Sequence, residues 1–223
     1  DYHCFDWLLP AKKIGGAKNI NNSKKLIFNW SKNNYPKNTF VWNTKITTKR
    51  LTNLIYYYDF YAITSDEKEK KFFYKLIYEH YLILEINRKF DKIDEIPIEV
   101  VKILILMRII FNKNLDKILS DLKTQLFKFV DTSGYHKSYN PSYQAEFINQ
   151  LHEIKNILLY FNLKISQKIY NQLDSMTSAF NNLFHKDGSI ALFNGSNNAN
   201  DNQYKQIEKL ISDIKPKKLD KIE

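Results

Sequence analysis

One cysteine, five glycines and five prolines are spread over 223 residues. The lone Cys4 excludes an intramolecular disulfide, and no Cys/His cluster has the spacing of zinc ligands. So little turn-forming residue, with no strand-rich region, favours long helices over many short strands. Long hydrophobic runs are missing as well. The longest, "VVKILILMRIIF" (100–111), is too short to cross a bilayer and is broken by Lys102 and Arg108, so it reads as a buried helix and no membrane span is expected. The opening "DYHCFDWLLP" has no initiating Met, basic start or apolar h-region, so the sequence is expected to be an excerpt without a signal peptide. Acidic side chains are the scarcer sign, 24 against 34 basic, for a net charge of +10. That balance favours a polyanionic partner. Nucleic acid is not expected, because there is no recognisable motif and no dense basic stripe on any one helix.

What is present is a 43% apolar chain, long enough for one large or two small domains with a real core. After an irregular extension over 1–20, helical patterns follow at about 21–34, 44–62, 67–88, 97–112, 115–130, 141–162, 165–184 and 202–213. The clearest stripes are Leu51, Leu54, Ile55 and Tyr58; Leu115, Ile118, Leu119, Leu122, Leu126 and Phe129; and Ile165, Ile169, Leu173, Met176, Phe180 and Leu183. The fold class is therefore all-α, built of consecutive antiparallel helical hairpins. Periodicity leaves open whether they form a one-layer bundle or an α/α-toroid. The helical domain is taken as 21–213 and the basic end 214–223 as a linker.

Three of the five glycines fall in two loops, "DTSGYHKSYNP" (131–141) and "FHKDGSIALFNG" (184–195). In the first, Asn140 followed by Pro141 reads as a helix N-cap and first helical residue. His136, Tyr139 and Tyr143 then sit on the loop and first turn, where the helix dipole favours an anion. In the second, Asp187-Gly188 signals a turn and "SIALFNG" a brief extended segment.

At these two loops the sequence resembles the heparinase II/III-like family, whose helical domain carries segments of the type D-G-G-H-x-S-R-N-P and H-x-D-G-x-x-A-L-F-N-G. Here they read "SGYHKSYNP" and "HKDGSIALFNG". "WNTKITTKRLTNLI" resembles the family's W-x(6–7)-R-L segment, and the likeness runs over roughly residues 25–202. The resemblance implies an incomplete α/α-toroid followed by a C-terminal β-sandwich beyond the last residue given. It also implies a bacterial polysaccharide lyase that cleaves uronic-acid glycans by β-elimination, located in the periplasm or the cytoplasm. Related lyases carry an S-P-x-Y-H type segment, against which Tyr143 aligns with the tyrosine and Gln144 with the histidine. Tyr139 stands where the family has arginine and Ser133 where it has aspartate, leaving Lys137 to supply a cation.

The expected site is therefore Tyr143 and His136 as catalytic residues, with Lys137, Tyr139, Asn140 and Trp42 binding substrate. Tyr143 and His136 are of the types that fill proton-transfer roles in such chemistry. Trp42, with Trp30, Phe40 and Tyr35 around "SKNNYPKNTFVW", offers aromatic faces to sugar rings or anchors the helix entry. Arg50, of the R-L segment, reads as a structural donor. No cofactor or metal is expected in this part of the chain; any metal would sit in the missing C-terminal domain. The expected partners are an acidic polysaccharide and the protein's own β-sandwich. Two carboxylates about 6.5–9.5 Å apart, as an inverting glycosidase needs, are not offered by the loops. A non-catalytic glycan-binding or glycan-assembly domain is the alternative.

Overall fold

A computed structural model describes residues 1–34, 40–90, 96–186 and 189–196, together with Tyr204 and Ile207. The chain divides into two compact units, 1–115 and 116–223. Among the described residues there is no strand, only two isolated bridges, Val130 with His136 and Phe184 with Ile190. The all-α expectation holds.

The first unit contains α1 (Leu8–Ile14), α2 (Gly16–Asn34), a 3-10 turn (Phe40–Trp42), α3 (Thr44–Tyr56), α4 (Tyr58–Tyr61), α5 (Glu67–Phe90) and α6 (Ile98–Ile110). α3 packs against α5 and α6, and α5 against α6. The ends of these helices follow from named side chains. Asn43 Oδ1 accepts from the Ile46 N–H at 2.9 Å to start α3. At α5, Asp66 Oδ1 accepts from Glu69 N–H while Glu69 Oε2 accepts from Asp66 N–H, a reciprocal capping box. α6 is the apolar run, with Ile98, Val100 to Ile105 and Met107 buried, which is why no polar stripe marked a face. It ends at Asn112, whose φ of 49° lets Lys113 N–H reach back to the Arg108 carbonyl.

The 1–20 stretch departs from the sequence reading: it carries α1 and the beginning of α2. Its aromatic opening, Pro10 and the Gly15-Gly16 pair have weak intrinsic helix preference, so local propensity gave no signal. Tertiary burial supplies what propensity lacks, with Phe5 and Leu8 fully buried and the Phe5 ring edge-on to Trp30 at 5.3 Å. The 44–62 pattern is also interrupted, at Tyr57.

The second unit contains α7 (Asp116–Phe129), α8 (Pro141–Tyr160) and α9 (Gln167–Asn181), with α8 against α9. Its core includes Leu122, Leu151, Leu158, Leu173, Met176 and Phe180. α8 closes as α6 does, on Asn162 with φ 55° and a Leu163 N–H bond to the Leu158 carbonyl. Tyr204 and Ile207 are helical and buried, Tyr204 beside Phe180; the rest of the expected 202–213 helix, the 214–223 linker, Tyr35 and the Asp187-Gly188 turn lie outside the described residues.

Candidate functional site

The two glycine-bearing loops meet at the start of α8. Asn140 caps that helix, its Oδ1 accepting from the N–H groups of Ser142 (2.8 Å) and Tyr143 (3.1 Å). Its Nδ2 donates to the Asn194 carbonyl at 2.7 Å, and Asn194 Nδ2 returns a bond to the Tyr139 carbonyl at 2.9 Å. Asn194 holds φ 52°, a left-handed turn that asparagine accepts more readily than most residues. The Asn-Gly end of the second motif is thus docked on the Asn-Pro of the first. Asn140 is 6% exposed and uses both side-chain atoms internally, so the substrate-binding expectation for it gives way to a structural one.

A second clamp holds the loop from below. Gln144 is buried; its Oε1 accepts from the His136 N–H, and its Nε2 donates to the carbonyls of Gly134 and Met176, both at 2.9 Å. Gly134 lies so close to α9 that a Cβ there would come within 2.4 Å of the Ser175 carbonyl oxygen, and its φ is +88°. The side chain aligned with the family's histidine therefore fastens the loop to α9 and does not face outward. Neither Gln144 nor Asn194 stands out by periodicity, though the Asn194-Gly195 pair is a turn signal.

Above this base stand His136 and Tyr143, with ring centroids 6.1 Å apart. The His136 ring stacks parallel to Phe129 at 5.9 Å and packs near Phe147. Ser138 N–H donates to its Nδ1 at 3.2 Å, so that nitrogen is an acceptor and the neutral ring carries its proton on Nε2. Burial lowers its pKa from the ordinary 6.5, which keeps the ring neutral near pH 7. Tyr143 is 61% exposed, and among the described residues its hydroxyl has no hydrogen-bond partner. These two side chains are presented together. Nδ1 being occupied, His136 offers Nε2 as a donor, and the free phenol of Tyr143 is the group placed to exchange a proton.

Lys137 and Tyr139 are exposed on the same loop. Lys137 Nζ is held loosely by the Phe127 carbonyl at 3.4 Å. Tyr139, at φ 49°, donates its hydroxyl to Asp131 Oδ2 at 3.2 Å, and that bond and charge raise its pKa. Asp131 also accepts from the N–H groups of Ser133 and Tyr135, so a carboxylate organises the loop that the family arms with arginine.

Trp42 corrects the sugar-platform expectation. It is buried in the first unit, its indole N–H donating to the Asn34 carbonyl at 2.7 Å. With Trp30 it encloses the Arg50 guanidinium, whose carbon lies 4.0 Å from the Trp30 ring and 4.7 Å from the Trp42 ring. Arg50 is fully buried, donating to His80 Nε2 at 2.7 Å and to the His3 and Val41 carbonyls at 2.8 and 2.9 Å, the structural donor expected of the R-L segment. Among the described residues no group of three or more His, Cys, Asp and Glu is placed to hold a metal, and no helix is long and apolar enough to cross a membrane. No family model, curated protein or solved structure matches the chain.

Proposed function

We propose that this chain is the α/α-toroid domain of a heparinase II/III-like polysaccharide lyase and that the loop pair forms one wall of a site completed by a C-terminal β-sandwich. The observation that carries the reading is the docking of the two motif loops through Asn140 and Asn194, beneath an exposed Tyr143 next to His136. In β-elimination from a uronate, the C–H bond beside the carboxylate breaks, a C=C bond forms and the glycosidic C–O bond breaks. Tyr143 is assigned the proton for the departing oxygen, and His136 Nε2–H a hydrogen bond to substrate. Lys137 and Tyr139 are assigned contacts at the rim. Neutralisation of the carboxylate and part of the acid–base set fall to the missing domain.

The test uses the chain and an extended protein. The chain alone is expected to bind a uronate oligosaccharide, weakened by His136→Ala, and to leave it uncleaved. The extended protein is expected to generate the ultraviolet-absorbing unsaturated uronate, and Tyr143→Phe to abolish that turnover with folding intact. Cleavage by the chain alone, or a fully active Tyr143→Phe enzyme, overturns the assignment. A non-catalytic glycan-binding role has its own support in Gln144, a buried amide that transfers no proton, at the position where the related lyases carry a histidine. Binding without turnover in the extended protein selects it.

A further inference from the structure

A hollow of about 360 Å³ opens on the second unit where α7, the end of α8 and the connection into α9 come together. Its walls are aliphatic: Leu119 on α7, Leu158 on α8, and Ile165 and Ile169 before and within α9. Three polar groups interrupt them. Lys123 follows Leu119 by one helical turn, and Lys164 and Ser166 lie on the α8–α9 connection. Both lysines are exposed, and neither is in an ion pair among the described residues. Ser166 occupies the N-cap position of α9 without capping it. Its hydroxyl oxygen is enclosed and has no partner among the described residues. An enclosed hydroxyl left unpaired is a standing cost that a bound acceptor relieves.

We propose that this hollow binds a small amphiphilic monoanion, a carboxylate on a short unbranched alkyl chain. The tail lies along the four aliphatic walls, and the head takes a hydrogen bond from Ser166 and the charge of Lys123 and Lys164. The volume and the lining, mostly apolar with a few convergent polar groups, are those of small-ligand sites. A neutral hydrocarbon would leave the hydroxyl and both ammonium groups unused. A sugar would set hydroxyls against aliphatic walls, so this hollow is distinct in chemistry from the loop wall around Tyr143.

The test is titration of the isotope-labelled chain with octanoate, followed by nuclear magnetic resonance. Saturable shifts are expected at Leu119, Leu158, Ile165 and Ile169. Octanol, with the tail and no charge, and acetate, with the head and no tail, should each bind at least about tenfold more weakly. Lys123→Gln with Lys164→Gln should weaken octanoate by at least about tenfold and leave other resonances in place, since both side chains are exposed. Ser166→Ala should also weaken octanoate while raising the stability of the unliganded protein, because it removes the unpaired hydroxyl. Shifts that do not saturate or that map elsewhere, octanol binding as tightly as octanoate, or an unchanged affinity in the double variant each overturn the proposal.

Discussion

Asn140 and Gln144 stand four residues apart and hold the same loop by different chemistry. Asn140→Ala removes a cap and the bond to Asn194, so unfolding should become easier by ~0.5–2 kcal/mol from the cap alone. Gln144→Met keeps the volume but strands the His136 N–H and the Gly134 carbonyl and removes a second bond to the Met176 carbonyl within α9, for a cost of ~1–3 kcal/mol per group left without water. Denaturant unfolding of both variants checks the pair, and a neutral Gln144→Met would mean that water replaces the amide. Asn140 is legible as a cap because its neighbour is proline; Gln144 is not, because its partners lie in a loop and on α9, far from it in sequence. In the first unit, His80 accepts from Arg50 Nε–H, and its Nδ1 bonds the Leu76 carbonyl at 2.7 Å. Burial, then the Arg50 charge, holds its pKa well below 6.5, while burial lowers Arg50 to about 9, still charged at neutral pH. The unfolded chain therefore binds more protons than the folded one just below pH 6.5, and stability falls as pH drops from there toward the depressed value, with His136 and His152 acting in the same direction. The urea midpoint should be lower at about pH 5.5 than at about pH 7.5, and His80→Gln should flatten that slope.

At the scale of elements, the helices that sequence made plain are those with one apolar stripe and one polar face. Leu51 and Leu54 on α3, Ile118, Leu122 and Leu126 on α7, and Leu173, Met176 and Phe180 on α9 are all buried as their spacing requires. Leu51→Ala should accordingly cost ~2–5 kcal/mol, read from tryptophan fluorescence, since Trp7, Trp30 and Trp42 all lie in the first unit. α1 was hidden because its helix depends on Phe5 and Leu8 finding Trp30's surroundings, a contact no local window contains. The approach of the 131–141 loop to α9 was hidden for the same reason, although its glycine was visible. Gly134→Ala meets both a backbone oxygen and a φ of +88°, so it should destabilise the second unit by more than the ~1 kcal/mol typical of glycine replacement at positive φ. Amide exchange along α9 is the measurement. Protection equal to the parent's would show that the loop can lift away from Ser175 without loss.

Over the whole molecule, what sequence conveyed least is how charge and surface combine. A net charge of +10 favours a polyanion but gives no location, and within the 131–141 loop Lys137 is the one lysine or arginine, on the same loop as the Asp131 carboxylate. The resemblance located the loops, whereas the sequence alone could not show that an acid organises one of them or that the family's arginine position holds a tyrosine bonded to that acid. Two terms should then govern binding of an acidic glycan, a diffuse attraction to the basic chain and a local one at the wall. The diffuse term is screened over ~10 Å at 0.1 M salt and weaker still above it. Affinity for a uronate oligosaccharide should fall steeply as salt is raised, and a neutral oligosaccharide of the same length should bind without that dependence. Asp131→Asn separates the terms: it removes one local negative charge and should tighten uronate binding at fixed salt, while leaving the salt slope nearly unchanged because the chain remains strongly basic. Its amide keeps one oxygen for the Ser133 and Tyr135 N–H groups, so the loop should survive the change, which the unchanged exchange protection of Tyr135 would verify. Binding indifferent to Asp131→Asn would place the glycan on another part of the basic surface, away from Tyr143 and His136.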